Sequence, residues 1–328
     1  MSILNVSNLK AHYIIETFGK VNHVKAVDGV SFEVRKDEIY GIAGESGCGK
    51  STLLKAITGQ LKPPLELIEG EVTFNFNNKK INIFDFEKKT DGKSVRGELI
   101  SKVPQGSMSV LNPIQRIRKT FRDYVGAHRN IKNKKEFETM VKGHLQALGL
   151  KYSIMDAYPH QLSGGMKQRV SIALATILKP EVVFADEPTT ALDVVVQRGV
   201  VQLIKKIKKE QQNTMVMVTH DLSIHASVVD RIAIMYAGEI VEEGDIKVIF
   251  NKPAHPYTQL LLKALPRLGD KSPRVSAPGA PPSLINVPSG CRFHPRCSKA
   301  DEKCKKINPE LLEIEDGHRV ACLQKGGE

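Results

Sequence analysis

The chain has 328 residues, a formal net charge of +12, 41% hydrophobic residues and 26% charged residues. This length suits one α/β domain with a smaller appended module, and the apolar content is enough to form a core. No apolar run reaches the ~20 residues of a membrane-spanning helix, and the N-terminus lacks the layout of a secretory signal. We therefore expect a cytosolic protein, in which any membrane role would depend on docking to other proteins.

The positive charge by itself would suit nucleic-acid binding. Much of it lies in short lysine runs on a predicted amphipathic helix, namely Lys205, Lys206, Lys208 and Lys209. A solvated helix face is the simpler interpretation of such a run, and anionic lipid or acidic partner loops are alternatives for other basic residues. The sequence has neither zinc-finger spacing nor the interleaved aromatic residues that bind nucleic-acid strands.

Short β-patterned runs dominate the N-terminal region. Residues 30–34 (VSFEV) and 72–76 (VTFNF) alternate apolar and polar side chains, which predicts two strands of one antiparallel layer. Between them, residues 39–43 predict a strand and residues 52–58 a helix, joined by a glycine-rich turn.

The pattern then changes twice along the chain. From about 91 to 165 it is mostly helical, and residues 166–240 alternate helices with β-branched strands at 182–184 and 215–219, as in a parallel sheet. After about residue 250 the composition shifts, which predicts a second, loop-rich module. Its prolines are Pro253, Pro256, Pro266, Pro273, Pro278, Pro281, Pro282 and Pro288, and four of the five cysteines follow.

The glycine-rich turn is a candidate phosphate loop. Its sequence GESGCGKST fits G-x-x-x-x-G-K-[ST] between a predicted strand and a predicted helix, the context that makes the pattern informative. Glycines allow several backbone N–H groups to surround phosphate oxygens, and the helix N-terminus adds its positive end. We expect Lys50 to reach the β- and γ-phosphates of ATP and Ser51 to ligate Mg²⁺. The predicted ATP-binding residues of the loop are Gly44, Glu45, Ser46, Gly47, Cys48, Gly49, Lys50, Ser51 and Thr52.

Cys48 lies inside this loop at a helix N-terminus, where the pKa of a thiol tends to fall. This position suggests mild sensitivity to oxidation, with nucleotide as a protectant. The alternative is that a small residue simply fits the loop.

A pair of carboxylates ends an apolar run of the predicted parallel sheet. Asp186 and Glu187 follow VVFA, and a strand buried on both faces has little reason to end in two acids unless they are used. We expect Asp186 to hold Mg²⁺ and Glu187 to polarise the attacking water. His220, which ends the next apolar strand, is expected to contact the γ-phosphate.

A second phosphate-binding helix N-terminus is predicted at LSGGM, residues 162–166. Ser163, Gly164 and Gly165 precede a strongly helical run from 167 to 178. One ATP needs only one such cradle in each chain. We therefore expect this segment to bind the ATP of a partner subunit, so that two subunits enclose the nucleotides head to tail.

Taken together, these residues resemble the ABC ATPase family over nearly the first 245 positions. Residues 44–52 resemble its Walker A motif, Gln105 its Q-loop, residues 162–166 its signature, residues 182–187 its Walker B motif, residues 191–193 its D-loop and His220 its switch histidine. The resemblance implies that Gln105 contributes to the Mg²⁺ site and that Asp193 acts on the partner's nucleotide. It also implies that Tyr13 stacks on adenine, with Phe18 as a nearby alternative. Met166 departs from the family pattern, which usually has Gln there.

Three further segments resemble the ATP-binding subunits of oligopeptide and dipeptide importers. They are residues 105–113 (QGSMSVLNP), 255–261 (HPYTQLL) and 288–297 (PSGCRFHPRC). The resemblance implies a heterodimer with a second homologous ATPase subunit, or a homodimer, beneath two membrane permease subunits fed by an extracytoplasmic solute-binding protein. It places the chain at the cytoplasmic face of the membrane, with region 91–165 docking onto a permease. Relatives carry peptides, oligosaccharides or nickel, so the substrate stays open.

The tail holds four cysteines, Cys291, Cys297, Cys304 and Cys322, in a segment with few apolar residues. Such a segment needs a cross-link or a bound metal for stability, and disulfide cross-links are rare in the cytosol. Zinc is an alternative, although the usual C-x₂-C pairs are missing, and free or oxidised thiols are another. Loose spacing of four thiolates suits a [4Fe–4S] cluster, which resemblance to the D-type importer subunit also implies.

The sequence thus predicts an α/β fold of the ABC-type P-loop ATPase, with a mostly parallel sheet, an antiparallel β layer and a helical subdomain. The nucleotide-binding domain is expected at 1–250, with its helical subdomain at about 91–165, and the metal-binding extension at 251–328. A soluble ABC protein acting on nucleic acid or ribosomes is the main rival. A P-loop kinase is a weaker one, because it has no use for LSGGM.

Overall fold

The structure, a computed structural model, describes residues 1–77, 79–85, 95–106, 110–129, 131, 133–265 and 277–324. Residues 107–109 of the predicted importer segment, as well as Pro266 and Pro273, lie outside the described residues. The chain divides into two units, which are residues 1–85 with 218–328, and residues 86–217.

The strands and helices are numbered in chain order. The strands are β1 (Ser2–Thr17), β2 (Lys20–Arg35), β3 (Ile39–Ala43), β4 (Leu65–Phe76), β5 (Lys79–Asn82), β6 (Ile100–Val103), β7 (Val182–Asp186), β8 (Thr214–Val218), β9 (Arg231–Tyr236), β10 (Glu239–Asp245), β11 (Leu312–Glu315) and β12 (His318–Val320). The helices are α1 (Lys50–Ile57), α2 (Ile117–His128), α3 (Lys134–Ala147), α4 (Gly164–Thr176), α5 (Val194–Gln211), α6 (Leu222–Val228), α7 (Ile246–Asn251) and α8 (Pro256–Lys263). Short 3₁₀ helices lie at Tyr152–Asp156, Pro159–Gln161 and His294–Arg296.

The antiparallel layer of the first unit has the strand order β2-β1-β4-β5. Leu4 of β1 lies opposite Val34 on one side and Phe74 on the other, so both strands predicted at 30–34 and 72–76 pair with the same strand. The prediction of one antiparallel layer is confirmed. Alternating side chains of these strands, including Leu4, Val34 and Phe74, are fully buried, as period-two patterning requires.

A second set of strands in the first unit follows the order β11-β12-β10-β9-β3. Strand β3 is parallel to β9, with Ile42 opposite Ala233, and all five of its residues are buried. Burial on both faces explains its continuous apolar sequence. Strand β12 pairs with β10 through Glu242 and Val320, so the C-terminal segment extends this sheet.

The second unit contains the strands β6 and β7, which are parallel, and most of β8, in the order β8-β7-β6. Strand β6 lies within the span that the sequence predicts to be mostly helical. Its four residues, ISKV, are too few to show a period against the helical pattern around them. The helices α2 and α3 are the α-helical part of that span in the described residues, and each buries one apolar stripe.

Helix α5 exposes Lys205, Lys206 and Lys209 of the lysine run and leaves Lys208 half-buried, whereas its apolar residues Val200, Ile204 and Ile207 are buried. The exposure of three of the four lysines agrees with a solvated helix face. None of the helices in the described ranges is long and apolar enough to span a bilayer.

Candidate active site

The phosphate loop connects β3 to α1, as predicted, and its glycines occupy positions that exclude side chains. Gly44 (φ +153°) and Gly49 (φ +110°) lie in the left-handed region. A Cβ at Gly44 would lie 2.1 Å from the carbonyl oxygen of Met235, and one at Gly49 would lie 1.9 Å from that of Ala26. Because these contacts are to backbone, no side-chain rearrangement relieves them. The loop is therefore confined between two neighbouring segments of its own unit.

Lys50 is buried at the start of α1, and its Nζ donates to the carbonyl oxygens of Gly44 and Glu45, each at 2.8 Å. The ammonium group thus bonds to the first two residues of the phosphate loop. Helix α1 has no side-chain cap, because its N-cap residue is Gly49. Its first N–H groups are therefore suited to an anion, the use that the sequence predicts for Ser51 and Thr52.

Tyr13 lies beside this helix. Its hydroxyl is 3.3 Å from Oγ1 of Thr52, and its side chain is half-buried. Phe18 instead lies at the tip of the β1–β2 hairpin and is fully exposed. Of the two aromatic residues considered for adenine stacking, Tyr13 is the one that contacts the nucleotide loop.

The expectation of a lowered thiol pKa at Cys48 is wrong. Burial raises the pKa of this thiol, and the nearby Lys50 ammonium only partly offsets the effect. Cys48 is 5% exposed, and its Sγ atom lies 3.7 Å from Nζ of Lys50. A buried, protonated thiol is a poor nucleophile, so the alternative that a small residue fits the loop explains Cys48 better.

Glu45 has partners that the sequence did not indicate. Its carboxylate binds the guanidinium of Arg296 through Nη1–Oε2 (2.8 Å) and Nη2–Oε1 (3.1 Å), and its backbone N–H donates to the hydroxyl of Tyr257 at 2.9 Å. Both partners are more than 200 positions away in sequence. They belong to the segments 255–261 and 288–297, so the available signal was the resemblance of those segments to one importer family.

His220 follows β8 and is exposed. The preceding residue, Thr219, donates its N–H to the carbonyl of Ile42 at 3.4 Å, which places His220 near the end of β3, where the phosphate loop begins. His225 contacts the same turn, with its Nε2 3.2 Å from the carbonyl oxygen of Thr219. Burial lowers the pKa of His225 to about 4, so this imidazole is neutral at physiological pH. Gly41 leaves it room, since a Cβ there would lie 2.7 Å from Nδ1.

In the second unit, Gln105 and Glu187 follow the neighbouring parallel strands β6 and β7, and Asp186 is the last residue of β7. Val103 at the end of β6 lies opposite Ala185 of β7, so the residues after both strands meet at one edge of the sheet. Asp186 is 3% exposed. Glu187 has a left-handed backbone (φ +46°), uncommon for a residue with a side chain, and accepts a 2.5 Å hydrogen bond from Oγ1 of Thr190.

Lys102 of β6 was missed by sequence reasoning. Its Nζ lies 3.4 Å from Oδ2 of Asp186, and both side chains are largely buried. A lysine thus neutralises the carboxylate that the sequence assigns to Mg²⁺. Because the pair joins residues 84 positions apart, only the strand pairing reveals it.

Ser163 and Asp193 are N-cap residues of two adjacent helices in the second unit. Ser163 Oγ accepts from the N–H of Met166 at 3.3 Å at the start of α4, and Asp193 Oδ1 accepts from the N–H of Val196 at 2.9 Å at the start of α5. A Cβ at Gly165 would lie 2.5 Å from Cγ1 of Val196, so the two helix starts are in close contact. Ser163 and Asp193 are exposed, which leaves them accessible to a ligand or a partner.

The cysteines of the tail are free thiols. Burial is the main cause of a raised pKa at Cys291, Cys297 and Cys322, and the three other tail cysteines raise the pKa of Cys291 further. Even so, within the described ranges no three or more His, Cys, Asp or Glu side chains are grouped to hold a metal ion. The predicted iron–sulfur cluster receives no support from this geometry.

Family models match the segments of the chain that hold these residues. The family model of the ABC transporter matches residues 27–190, which contain the phosphate loop, Gln105, the helix start at Ser163 and the two carboxylates. A second model, the C-terminal region of oligopeptide/dipeptide transporters, matches residues 241–304. The chain belongs to the ABC transporter ATP-binding subunits of the dipeptide/oligopeptide importer family. As a member of this ABC ATPase family, it is an ATPase.

Curated relatives match along almost the whole chain. The dipeptide transport ATP-binding protein DppD of Caldanaerobacter subterraneus is 38% identical over 322 residues, which cover 98% of this chain and 96% of the relative. DppD of Escherichia coli is 36% identical and DppF of Haemophilus influenzae 37% identical, with the same coverage of both chains.

Solved structures confirm the ABC ATPase fold. A dimeric post-hydrolysis state of the ATP-binding cassette MJ0796 bound to ADP and Pi has a TM-score of 0.62 and 28% identity, and the match covers 74% of this chain and 99% of that one. CbiO1 from Clostridium perfringens, part of the transporter complex cbiONQ, has a TM-score of 0.61 and 26% identity, covering 76% of this chain and 91% of that one.

Proposed function

We propose that this ATPase is the motor subunit of an importer that carries dipeptides or oligopeptides. The observation that carries this proposal is similarity to dipeptide transport ATP-binding proteins over 98% of the chain, including the C-terminal region at 241–304. Oligosaccharides and nickel are alternative cargoes. The substrate is expected to be selected by partner proteins, because the residues assigned above concern ATP.

In the proposed reaction, Lys50 turns from the carbonyl oxygens of Gly44 and Glu45 to the phosphates of ATP, and loop N–H groups bind the same oxygens. Glu187 accepts a hydrogen bond from the attacking water and orients it towards the γ-phosphorus. His220 contacts the γ-phosphate, and Tyr13 stacks on the adenine.

The chemistry of the donors fits Mg²⁺. Ser51 offers a hydroxyl, Gln105 an amide oxygen and Asp186 a carboxylate, which are the hard oxygen ligands that this ion prefers. When bound, Mg²⁺ would neutralise charge on the phosphates. The protein must keep these donors in place. It must also keep competing cations, including the ammonium group of Lys102, out of the Mg²⁺ position.

We further propose that ATP joins two subunits. Ser163, Gly164, Gly165 and Asp193 would contact the nucleotide held by the phosphate loop of the partner subunit. The exposure of Ser163 and Asp193, and the helix starts at these two residues, support this assignment. The partner is a second homologous ATPase subunit or a second copy of this chain, and closure and reopening of the dimer would drive the membrane subunits.

The partners proposed beyond the ATPase pair are two membrane permease subunits and an extracytoplasmic solute-binding protein. Docking to the permeases would place the chain at the cytoplasmic face of the membrane as a peripheral subunit. We assign the nucleotide-binding domain to residues 1–250, the permease-docking subdomain to about 91–165 and the extension to 251–328. No nucleic-acid partner is proposed.

For the tail, we propose that Cys291, Cys297, Cys304 and Cys322 hold a [4Fe–4S] cluster, with zinc as the alternative. The support is the resemblance of segment 288–297 to the importer family, together with the effect of Cys297, Cys304 and Cys322 on the pKa of Cys291. The described geometry holds no ready metal site, so binding would require the thiol groups to move together. Iron, sulfide and zinc analysis of anaerobically purified protein tests this, because about four irons per chain are expected and a metal-free protein would contradict it.

The transport proposal is tested by co-expressing the chain with its permease partners and reconstituting the complex in vesicles. We expect ATP-dependent uptake of a labelled dipeptide, lost in Lys50→Ala. Uptake of nickel or oligosaccharide in place of peptide would move the assignment to the alternative cargo. ATPase stimulation by DNA or ribosomes, without permease dependence, would contradict the transport role.

A further inference from the structure

The segment 291–297, which we call the cysteine loop, contains a buried arginine that contacts the phosphate loop. Arg296 lies directly before Cys297, and its side chain is only 6% exposed. Its guanidinium forms a two-point contact with the carboxylate of Glu45, the second residue of the phosphate loop. Such paired contacts restrict both the position and the orientation of the carboxylate.

The remaining donors of Arg296 are also used. Nε donates to the carbonyl oxygen of Pro278 at 2.8 Å, and Nη1 lies 3.3 Å from the hydroxyl of Tyr236. These contacts therefore hold the guanidinium in place independently of its contact with Glu45. A side chain fixed in this way loses little further freedom when it positions its partner.

Glu45 is held at its backbone as well as at its carboxylate. Its N–H donates to the hydroxyl of Tyr257, while its carbonyl accepts from Lys50. Lys50 must leave this carbonyl to reach a phosphate, but the other two contacts need not change. The loop is thus anchored at Glu45 while its lysine is free to exchange partners.

The anchors themselves share one aromatic cluster. Phe293 of the cysteine loop packs against Tyr236 (5.2 Å between ring centroids) and Tyr257 (5.4 Å), and the two tyrosines pack against each other at 4.6 Å. Phe293 is 1% exposed. A shift of the cysteine loop would therefore move both groups that hold Glu45.

Arg292 at the other end of the loop provides a second connection. Its Nη1 donates to the carbonyl of Ala237, and the neighbouring Gly238 donates its N–H to the carbonyl of Cys48 in the phosphate loop. The cysteine loop therefore reaches the phosphate loop at two points, directly at Glu45 and through one turn at Cys48.

We propose that Arg296 is a positioning residue for ATP binding: through Glu45 it holds the phosphate loop in its nucleotide-binding conformation, so that the C-terminal extension sets nucleotide affinity. The inference rests on the proposed nucleotide role of this loop. Arg296 itself touches no phosphate. Its effect should appear in the dissociation constant and KM for ATP, while kcat at saturating ATP stays within about twofold.

The test measures binding of a fluorescent ATP analogue to the full-length chain. We expect Arg296→Gln to weaken binding at least about fivefold, the lower end of typical coupling between sites. Arg296→Lys keeps the charge but not the two-point contact, so it should fall between the wild type and Arg296→Gln. The matched control is Lys303→Gln, which removes one positive charge from an exposed position of the same extension and should bind normally.

A double-mutant cycle separates positioning from general damage. Glu45→Gln should weaken binding to a similar extent, and the double variant Glu45→Gln/Arg296→Gln should be no worse than either single variant. Fully additive losses, or normal affinity in folded Arg296→Gln, would overturn the proposal. If Arg296→Gln does not fold, Arg296→Lys decides, since normal affinity there would overturn it too. Failure of the wild type to bind ATP would instead overturn the proposed function.

Discussion

Nζ of Lys102 lies 3.4 Å from Oδ2 of Asp186, across the parallel strands β6 and β7. The lysine is 17% exposed and the aspartate 4% exposed at their side chains, so solvent screens this pair only in part. A cation from the protein therefore occupies the neighbourhood of the carboxylate that would hold Mg²⁺.

Replacement of Lys102 by methionine should lower the Mg²⁺ concentration needed for half-maximal ATPase activity. Loss of one nearby positive charge leaves Asp186 more attractive to a divalent cation, by at least about 1 kcal/mol or roughly fivefold, the value for two unit charges ~4 Å apart in bulk water. Lys102→Arg keeps the charge and should behave like the wild type. A titration of ATPase rate against free Mg²⁺ measures the effect, and an increased Mg²⁺ requirement in Lys102→Met would contradict it.

Substitution of Glu187 by glutamine should reduce ATP hydrolysis by about 10²–10⁴-fold, the typical contribution of a general base. Nucleotide binding should persist, because the phosphate loop is untouched. Phosphate release and binding of a fluorescent ATP analogue, measured on the same sample, separate the two effects. Glu210→Gln, on the exposed face of α5, is the control that removes a carboxylate elsewhere. Hydrolysis at the wild-type rate in Glu187→Gln would remove Glu187 from its assigned role.

The close contact between the starts of α4 and α5 predicts that Gly165→Ala is destabilising. The new Cβ would lie 2.5 Å from Cγ1 of Val196, and overpacking of this kind typically costs about 1–3 kcal/mol in the free energy of unfolding. Val196→Ala removes the clashing methyl group and should restore most of the loss in the double variant. Chemical unfolding of the four proteins tests this, and equal stability of Gly165→Ala and wild type would show that the helices separate easily.

Local patterns predicted most of the site, whereas long-range contacts were missed. The phosphate loop, the carboxylates at the end of β7 and the helix start at Ser163 each depend on neighbours within about ten positions, so spacing alone reveals them. The pairs Lys102–Asp186 and Arg296–Glu45 depend on which strands and segments meet, which periodicity does not specify. The pKa of Cys48 was misjudged for a related reason, because burial outweighs the helix N-terminus and burial comes from distant residues.

Buried neutral histidines predict acid sensitivity of the fold. Burial lowers the pKa of His225 to about 4 and that of His255 to about 3, whereas the unfolded chain titrates near the ordinary value of 6.5. Between these values the unfolded state binds more protons, so stability that is complete above pH 6.5 is lost as the pH falls towards about 3. For His225 the loss is roughly 3 kcal/mol, which is the difference between a pKa of 6.5 in the unfolded chain and about 4 in the folded one, taken at 1.36 kcal/mol per pKa unit.

Replacement of His255 by asparagine isolates one part of this effect. Nδ1 of His255 accepts from the N–H of Tyr257 at 3.0 Å and caps α8, a function that an asparagine oxygen can perform without titrating. The free energy of unfolding of His255→Asn, measured in urea from pH 7 to pH 4, should fall less steeply than that of the wild type. Parallel pH profiles for the two proteins would mean that His255 is protonated to the same extent in the folded and unfolded chains, against the burial that lowers its pKa.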